Sequence, residues 1–265
     1  MALRQWMLRH IAVHDVGGGA AGGGGAVVSA DALQRHAESL GIHESWMSFL
    51  KLSATQVSEL IRITDRVEQE RRLCTIYPEK SDVHRWSRLC FPYDVRVVIL
   101  GQDPYHDGSA CGLAFGTVRD RPAPPSLATV FKELRRSIPQ FLTPKCGCLD
   151  AWCREGVLLI NTVFTVAKGR PGSHEALGWQ ILSDRVLQAL SEQREGLVFM
   201  LWGLHAQKKE YLIDPRKHLI LRSSHPSPRA QGARNPFVGN NHFVLANEYL
   251  SRRGEHVDWN VLCSK

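Results

Sequence analysis

Val95-Arg96-Val97-Val98-Ile99-Leu100 runs straight into Gly101-Gln102-Asp103-Pro104-Tyr105-His106. The first half is almost continuously apolar and branched, the composition of a strand buried on both faces. The second half breaks it. Gly101 permits a backbone turn that a side chain would hinder, and Pro104 fixes its own φ and biases Asp103 away from helix. A buried strand thus ends in a stiff loop that presents one carboxylate.

Three similar runs follow: Gly156-Val157-Leu158-Leu159-Ile160-Asn161, Leu197-Val198-Phe199-Met200-Leu201-Trp202 and His218-Leu219-Ile220-Leu221-Arg222-Ser223. Helical patterns lie between them, over 127–138, 178–190 and, shorter, 206–212, and a last one over 243–252. Strand–helix–strand alternation with connections of this length implies an α/β fold. The expected architecture is a single domain with a central four-stranded, mainly parallel sheet flanked by helices.

Upstream, residues 30–73 read as helical, with one apolar patch at Trp46, Phe49, Leu50 and Leu52 and a second stripe from Val57 through Val67. Gly17–Gly25 is almost pure Gly and Ala and has nothing to bury, so residues 1–28 are expected to be an arm and flexible linker, and 29–265 the globular domain. No internal repeat is visible.

The chain of 265 residues carries 33 Lys and Arg against 26 Asp and Glu, a net charge of +7. Such an excess fits a polyanionic partner, nucleic acid first, and equally a solvated basic surface. Its seven cysteines are scattered and odd in number, which favours reduced thiols over a disulfide framework. Cys146, Cys148 and Cys153, with His174 beyond, hint at zinc, but the spacing is not a usual zinc pattern, and no metal is expected. Met1–Val16 contains Arg4, Arg9, His10, His14 and Asp15, so no secretory apolar core is expected there. No stretch approaches the ~20 apolar residues of a membrane span.

Open parallel sheets bind ligands at the carboxyl ends of their strands. After the Asp103 loop comes Gly112-Leu113-Ala114-Phe115, a glycine-flanked aromatic. The other strands end in Asn161-Thr162, Trp202-Gly203 and Ser224-His225-Pro226-Ser227-Pro228. A lone strand-end Asp is usually a turn or helix cap. Here it arrives with an amide and a histidine on other strand ends.

Together these segments resemble the uracil-DNA glycosylases that carry GQDPYH and HPSP loops. The resemblance spans about 75–250 and includes Arg85-Trp86, Pro124-Pro125-Ser126-Leu127, Leu159–Thr162, Leu201-Trp202-Gly203, Ala206–Lys209 and Gly239–Phe243. The opening Met1–Leu8 is similar to herpesvirus members of that family, the cytomegalovirus group in particular. The resemblance implies that residues 29–265 form the catalytic domain and that the reaction is hydrolysis of the deoxyuridine N-glycosidic bond, without cofactor. It implies that Asp103 stabilises the sugar cation and orients water. His225, neutral, stabilises negative charge on uracil O2. Asn161 reads N3–H and O4, Phe115 stacks on the base, Tyr105 excludes a C5 methyl, and Gln102 lines the pocket mainly through its backbone. His106, Pro125, Ser126, Gly203, Ser227, Arg229 and Arg234 are the implied DNA contacts, with Lys208 and Lys209 as weaker candidates. The implied partners are single- and double-stranded DNA containing uracil, a proteinaceous glycosylase inhibitor, and viral polymerase or processivity proteins. The implied setting is a monomer in the nucleus, the host's if the protein is viral, that initiates base excision repair and supports viral DNA replication.

The pattern departs from the family twice. Arg229 stands where a leucine usually wedges into the base stack, in a loop to Phe237 that is longer than usual, so the expected wedge is Arg229 or another residue of that loop, and Leu204 replaces a phosphate-contacting serine. A DNA-binding scaffold that has lost catalysis is the competing reading, and retention of Asp103, Asn161 and His225 argues against it. No nucleophile elbow stands at the right strand end for an α/β hydrolase, and no Walker A loop is present.

Overall fold

The computed structural model describes residue 35, residues 38–230 and residues 234–263. The expected arm and linker over 1–28, and the herpesvirus-like opening segment, lie outside the described residues.

The strands are β1 (Ile76–Tyr77), β2 (Val97–Gly101), β3 (Val157–Asn161), β4 (Val166–Ala167), β5 (Val198–Trp202) and β6 (Leu219–Ser223). The main sheet has the order β3-β2-β5-β6, and every pairing in it is parallel. The four apolar runs of the sequence are these four strands, each starting one or two residues later than the run. Every residue of β2, β3 and β5 is buried, whereas the edge strand β6 exposes Arg222. Continuous apolar composition therefore reported burial on both faces, as parallel sheets require.

The helices are α1 (Glu44–Leu50), α2 (Ala54–Arg71), α3 (Arg85–Leu89), α4 (Pro125–Ser137), α5 (Asp150–Arg154), α6 (Gln180–Gln193), α7 (Leu204–Gln207) and α8 (His242–Ser251). The helical region expected over 30–73 contains two helices, α1 and α2, with a break between them. Lys51 adopts a left-handed conformation (φ 49°) that ends α1. Ser53 then caps α2, its side chain accepting from the Gln56 N–H while Gln56 reaches back to the Ser53 N–H. That reciprocal capping box offsets the cost of starting a new helix separated from the last one by only three residues. The helix expected over 206–212 is likewise reduced to α7 and a separate 3-10 turn, Glu210–Leu212. The helix expected from Gly178 starts at Gln180, because Gly178 sits at φ 97°. Two-residue strands carry no periodic signal, so the small antiparallel β1–β4 sheet had none to read.

Indole and imidazole groups close the core around the sheet. Trp46 packs edge-on against Trp86 with ring centroids 5.2 Å apart, and its N–H donates to the Cys90 carbonyl at 2.8 Å. Cys74, Cys90, Cys111, Cys146, Cys148 and Cys153 are free thiols; burial pushes the Cys111 thiol up to about 12. His174 bonds Thr165 Oγ1 at 2.8 Å and faces Glu70 at 3.1 Å, so both its nitrogens are engaged within the protein. Among the described residues no group of three His, Cys, Asp or Glu side chains is placed to hold a metal. No described helix is long and apolar enough to cross a membrane.

Candidate active site

Register fixes the first half of the site. β2 and β3 pair so that Gly101 lies beside Asn161 at their carboxyl ends. A methyl group at position 101 would overlap Asn161 Oδ1 and come within 2.9 Å of the Ala114 side chain. Glycine is therefore required for the amide to lie against the neighbouring backbone. Past the strands, the two loops stay fastened. Gly101 O accepts from the Thr162 N–H at 3.1 Å, and Gln102 O accepts from the Val163 N–H at 3.0 Å and Thr162 Oγ1 at 2.9 Å.

A cavity of about 180 Å³ opens at this edge, lined by Gln102, Asp103, Tyr105, Phe115, Asn161 and His225, with His106 and Ser126 at its border. Eight residues singled out in the sequence thus meet in one place. Asp103 is half-buried, and its Oδ2 accepts from the Gly172 N–H at 2.8 Å. Gly169 N–H also donates to His106 O at 2.9 Å. The segment 169–172 therefore buttresses the carboxylate loop. In the sequence it reads only as a Gly/Pro turn, and nothing local ties it to Asp103.

Tyr105 donates its hydroxyl proton to the Phe115 carbonyl at 3.2 Å. Burial pushes the Tyr105 phenol well up, so it remains a donor. Phe115 itself sits at φ 62°, its ring 5.4 Å from Trp202 and 5.7 Å from His225. The pocket thus has one aromatic wall, and Asn161, only 6% exposed, lines it too.

His225 Nδ1 accepts from the Ser227 backbone N–H at 3.0 Å. That bond leaves Nδ1 without a proton and assigns the proton of the neutral ring to Nε2, making it a donor. Burial, helped by the nearby His205, holds the His225 pKa below its ordinary 6.5. Gly203, at φ 86°, packs against the histidine, where a Cβ would stand 2.9 Å from that of His225. Gly203 does not line the cavity; its visible work is to leave room for His225.

His205 is a residue that sequence reasoning missed. Its Nε2 lies 3.0 Å from Thr162 Oγ1. The Thr162 hydroxyl spends its one proton on the Gln102 carbonyl, so it accepts from His205, whose Nε2 must carry a proton. Three strand ends are joined through that chain.

The expected DNA contacts are more scattered. Ser126 opens α4 beside the cavity, with Pro125 exposed next to it. Ser227 follows His225. Arg229 is exposed on a 3-10 turn, Pro228–Ala230, its N–H donating to Ser227 Oγ at 3.3 Å. Arg234 is exposed too. The segment 231–233 between them lies outside the described residues. Lys209 is bound by Asp184 at 2.8 Å, which leaves it less suited to phosphate than Lys208.

An amide, a carboxylate and an imidazole converge on an aromatic-walled cavity at the carboxyl edge of a parallel sheet, where open α/β folds bind their ligands. Residues 89–251 match the uracil DNA glycosylase superfamily. The chain is 49% identical over 263 residues to the uracil-DNA glycosylase of human herpesvirus 6A, covering 99% of both chains. It is 52% identical over 262 residues to that of human cytomegalovirus strain Merlin, covering 98% of this chain and 99% of the relative. Among solved structures, mimivirus uracil-DNA glycosylase superposes with a TM-score of 0.72 at 27% identity, covering 84% of this chain and 88% of that one. The chain belongs to the uracil DNA glycosylase superfamily, and its resemblance to herpesvirus members extends over nearly its whole length.

His225 should titrate with a midpoint below 6.5 and, above that midpoint, carry its proton on Nε2. Nitrogen chemical shifts of the ring across a pH series measure both, and a midpoint above 6.5 or an Nδ1 proton would contradict the geometry.

Proposed function

We propose that this protein hydrolyses the N-glycosidic bond of deoxyuridine in DNA, releasing free uracil and leaving an abasic site as the first step of base excision repair. The observation that carries this reading is the convergence of Asp103, Asn161 and His225 on one cavity.

The chemistry follows from those groups. A base inside a duplex is out of reach, so the nucleotide must flip into the pocket. As the C1′–N1 bond breaks, its electron pair leaves with uracil and the sugar becomes an oxocarbenium cation. The Asp103 carboxylate, held by Gly172, stabilises that cation and orients the water, accepting its proton as the water oxygen bonds to C1′; that proton is then lost to solvent, and the uracil anion takes one from solvent on release. His225 directs its Nε2–H at uracil O2, where negative charge develops. A fixed donor aimed at charge that appears only in the transition state is a large catalytic contribution.

Asn161 supplies an acceptor to N3–H and a donor to O4. Cytosine offers the opposite pattern, and a pinned amide would leave buried groups unpaired against it. Phe115 stacks on the ring and Tyr105 occupies the space of a thymine methyl. Gln102 contributes its loop backbone. Its carbonyl is already spent on Thr162 and Val163.

Outside the pocket, His106, Pro125, Ser126 and Ser227 are suited to close approach by phosphates. Arg229 fills the stack vacated by the flipped base with its planar guanidinium, and Arg234 adds charge on the same loop. Gly203 is assigned only a backbone contact. In this reading the protein acts as a monomer in the nucleus, the host's if the protein is viral, on single- and double-stranded DNA, and also supports viral DNA replication beside polymerase or processivity proteins. A mimivirus relative was solved in complex with UGI, and an inhibitor protein of this kind would compete for the same face.

Asp103→Asn should lower turnover on a single-stranded uracil oligonucleotide by about 100-fold or more, and Asn161→Asp should raise release of cytosine relative to uracil. Turnover preserved in the first variant would refute the assignment of the carboxylate. Arg229→Ala should cost about tenfold on duplex substrate and much less on single strands; equal losses on both would remove Arg229 from the role of wedge.

A further inference from the structure

Glu133 sits on α4 two turns after Ser126, and it is fully buried. Its carboxylate receives four hydrogen bonds. Oε2 accepts from the Gly239 N–H at 2.7 Å and Arg136 Nε at 2.9 Å, and Oε1 accepts from the Asn241 N–H at 3.0 Å and Arg136 Nη2 at 2.8 Å. Arg136 also bonds the Asn241 side chain. Each oxygen therefore takes one backbone donor and one guanidinium donor. Burial alone would push this carboxyl up, but the bonds from Arg136, Gly239 and Asn241 hold it below its ordinary value.

The two backbone donors lie at the far root of the loop that begins at Ser224. The near root is already closed, because Ser224 N–H donates to Asn235 O at 2.8 Å and Asn235 Nδ2 to Arg222 O at 2.9 Å. Phe237, buried against Trp202 with centroids 4.8 Å apart, anchors the return path. What remains to be held is 239–241, where the chain turns through Gly239 at φ 100° and Asn241 at φ 57° into α8. An apolar side chain of the same size at position 133 would fill the space and leave two backbone N–H groups without their acceptor. Buried donors left that way are costly. The negative charge also stands at the N-terminus of α8, where it is favoured.

We infer that Glu133 is a positioning residue for duplex opening: it fastens the loop bearing Ser227, Arg229 and Arg234 to the helix whose first turn bears Pro125 and Ser126. The two gripping segments then move as one jaw. Pinching phosphates from both sides bends the strand only if neither side yields, so a loose joint would spend the grip in loop motion. A single strand has no partner base to displace and does not need the rigid jaw. The inference rests on the reading of these segments as the DNA grip.

The test compares uracil release from single-stranded and duplex oligonucleotides of one sequence. Glu133→Gln keeps the volume but offers a single acceptor oxygen and turns an NH2 toward a backbone N–H. Its kcat/KM on duplex should fall by about tenfold or more, the scale of one lost charge-assisted hydrogen bond, while the single-strand value changes little. Arg136→Met removes the guanidinium and leaves both backbone bonds, so it should shift the same ratio in the same direction by less. It also carries the test if Glu133→Gln does not fold. An unchanged ratio in the folded variant, or equal losses on both substrates, would overturn the inference alone. Failure of the unaltered protein to release uracil from either substrate would overturn the glycosylase reading and this inference with it.

Discussion

The site depends on one close approach, that of the Asn161 amide to the backbone of Gly101. Parallel pairing in register brings these residues side by side at the carboxyl ends of β2 and β3, and the missing side chain at Gly101 lets them touch. The carboxylate loop starts one residue later, with the Asn161 amide already in place beside it. Both positions are inherited from a sheet that is buried on both faces. A slip of one residue would turn the apolar side chains of β3 to the opposite face, so core packing and site geometry are enforced by the same interaction.

Around that contact, nearly every functional group is oriented by a backbone donor or acceptor. Asp103 is held by Gly172, His225 by Ser227, Tyr105 by the Phe115 carbonyl, and the Gln102 carbonyl by Thr162 and Val163. Backbone partners are fixed by the fold and cost no side-chain entropy to order. The pocket is therefore preorganised, which is what the proposed reaction would require of a neutral histidine and a carboxylate acting on charge that exists only in the transition state. His225 gains doubly from this arrangement. The bond to Nδ1 selects the tautomer, and burial keeps the ring from taking a second proton.

Much of this was legible in the sequence because burial on both faces leaves a continuous apolar run, and four such runs specify both the sheet and the edge where loops gather. Asp103, Asn161 and His225 were legible because each directly follows a run. The break between α1 and α2 was written in Ser53 and Gln56, which fall between the two apolar patches of that region. Other features had no local trace. The Gly172 bond to Asp103 spans 69 residues, that of His205 to Thr162 spans 43, and the Glu133 clamp on Gly239 spans 106. Only a folded chain brings these partners together. Arg229 was legible as a departure, and its surroundings explain why: it lies on an exposed 3-10 turn, where packing does not dictate the side chain.

The most direct measurement of the central claim is product analysis of the unaltered protein with a single-stranded oligonucleotide containing one deoxyuridine, in the presence of EDTA. The expected result is free uracil and an abasic strand, with no base released from matched oligonucleotides carrying cytosine or thymine at that position. Absence of uracil, or release of thymine at a comparable rate, would contradict the account of a pocket built on the Gly101–Asn161 approach and closed by Tyr105.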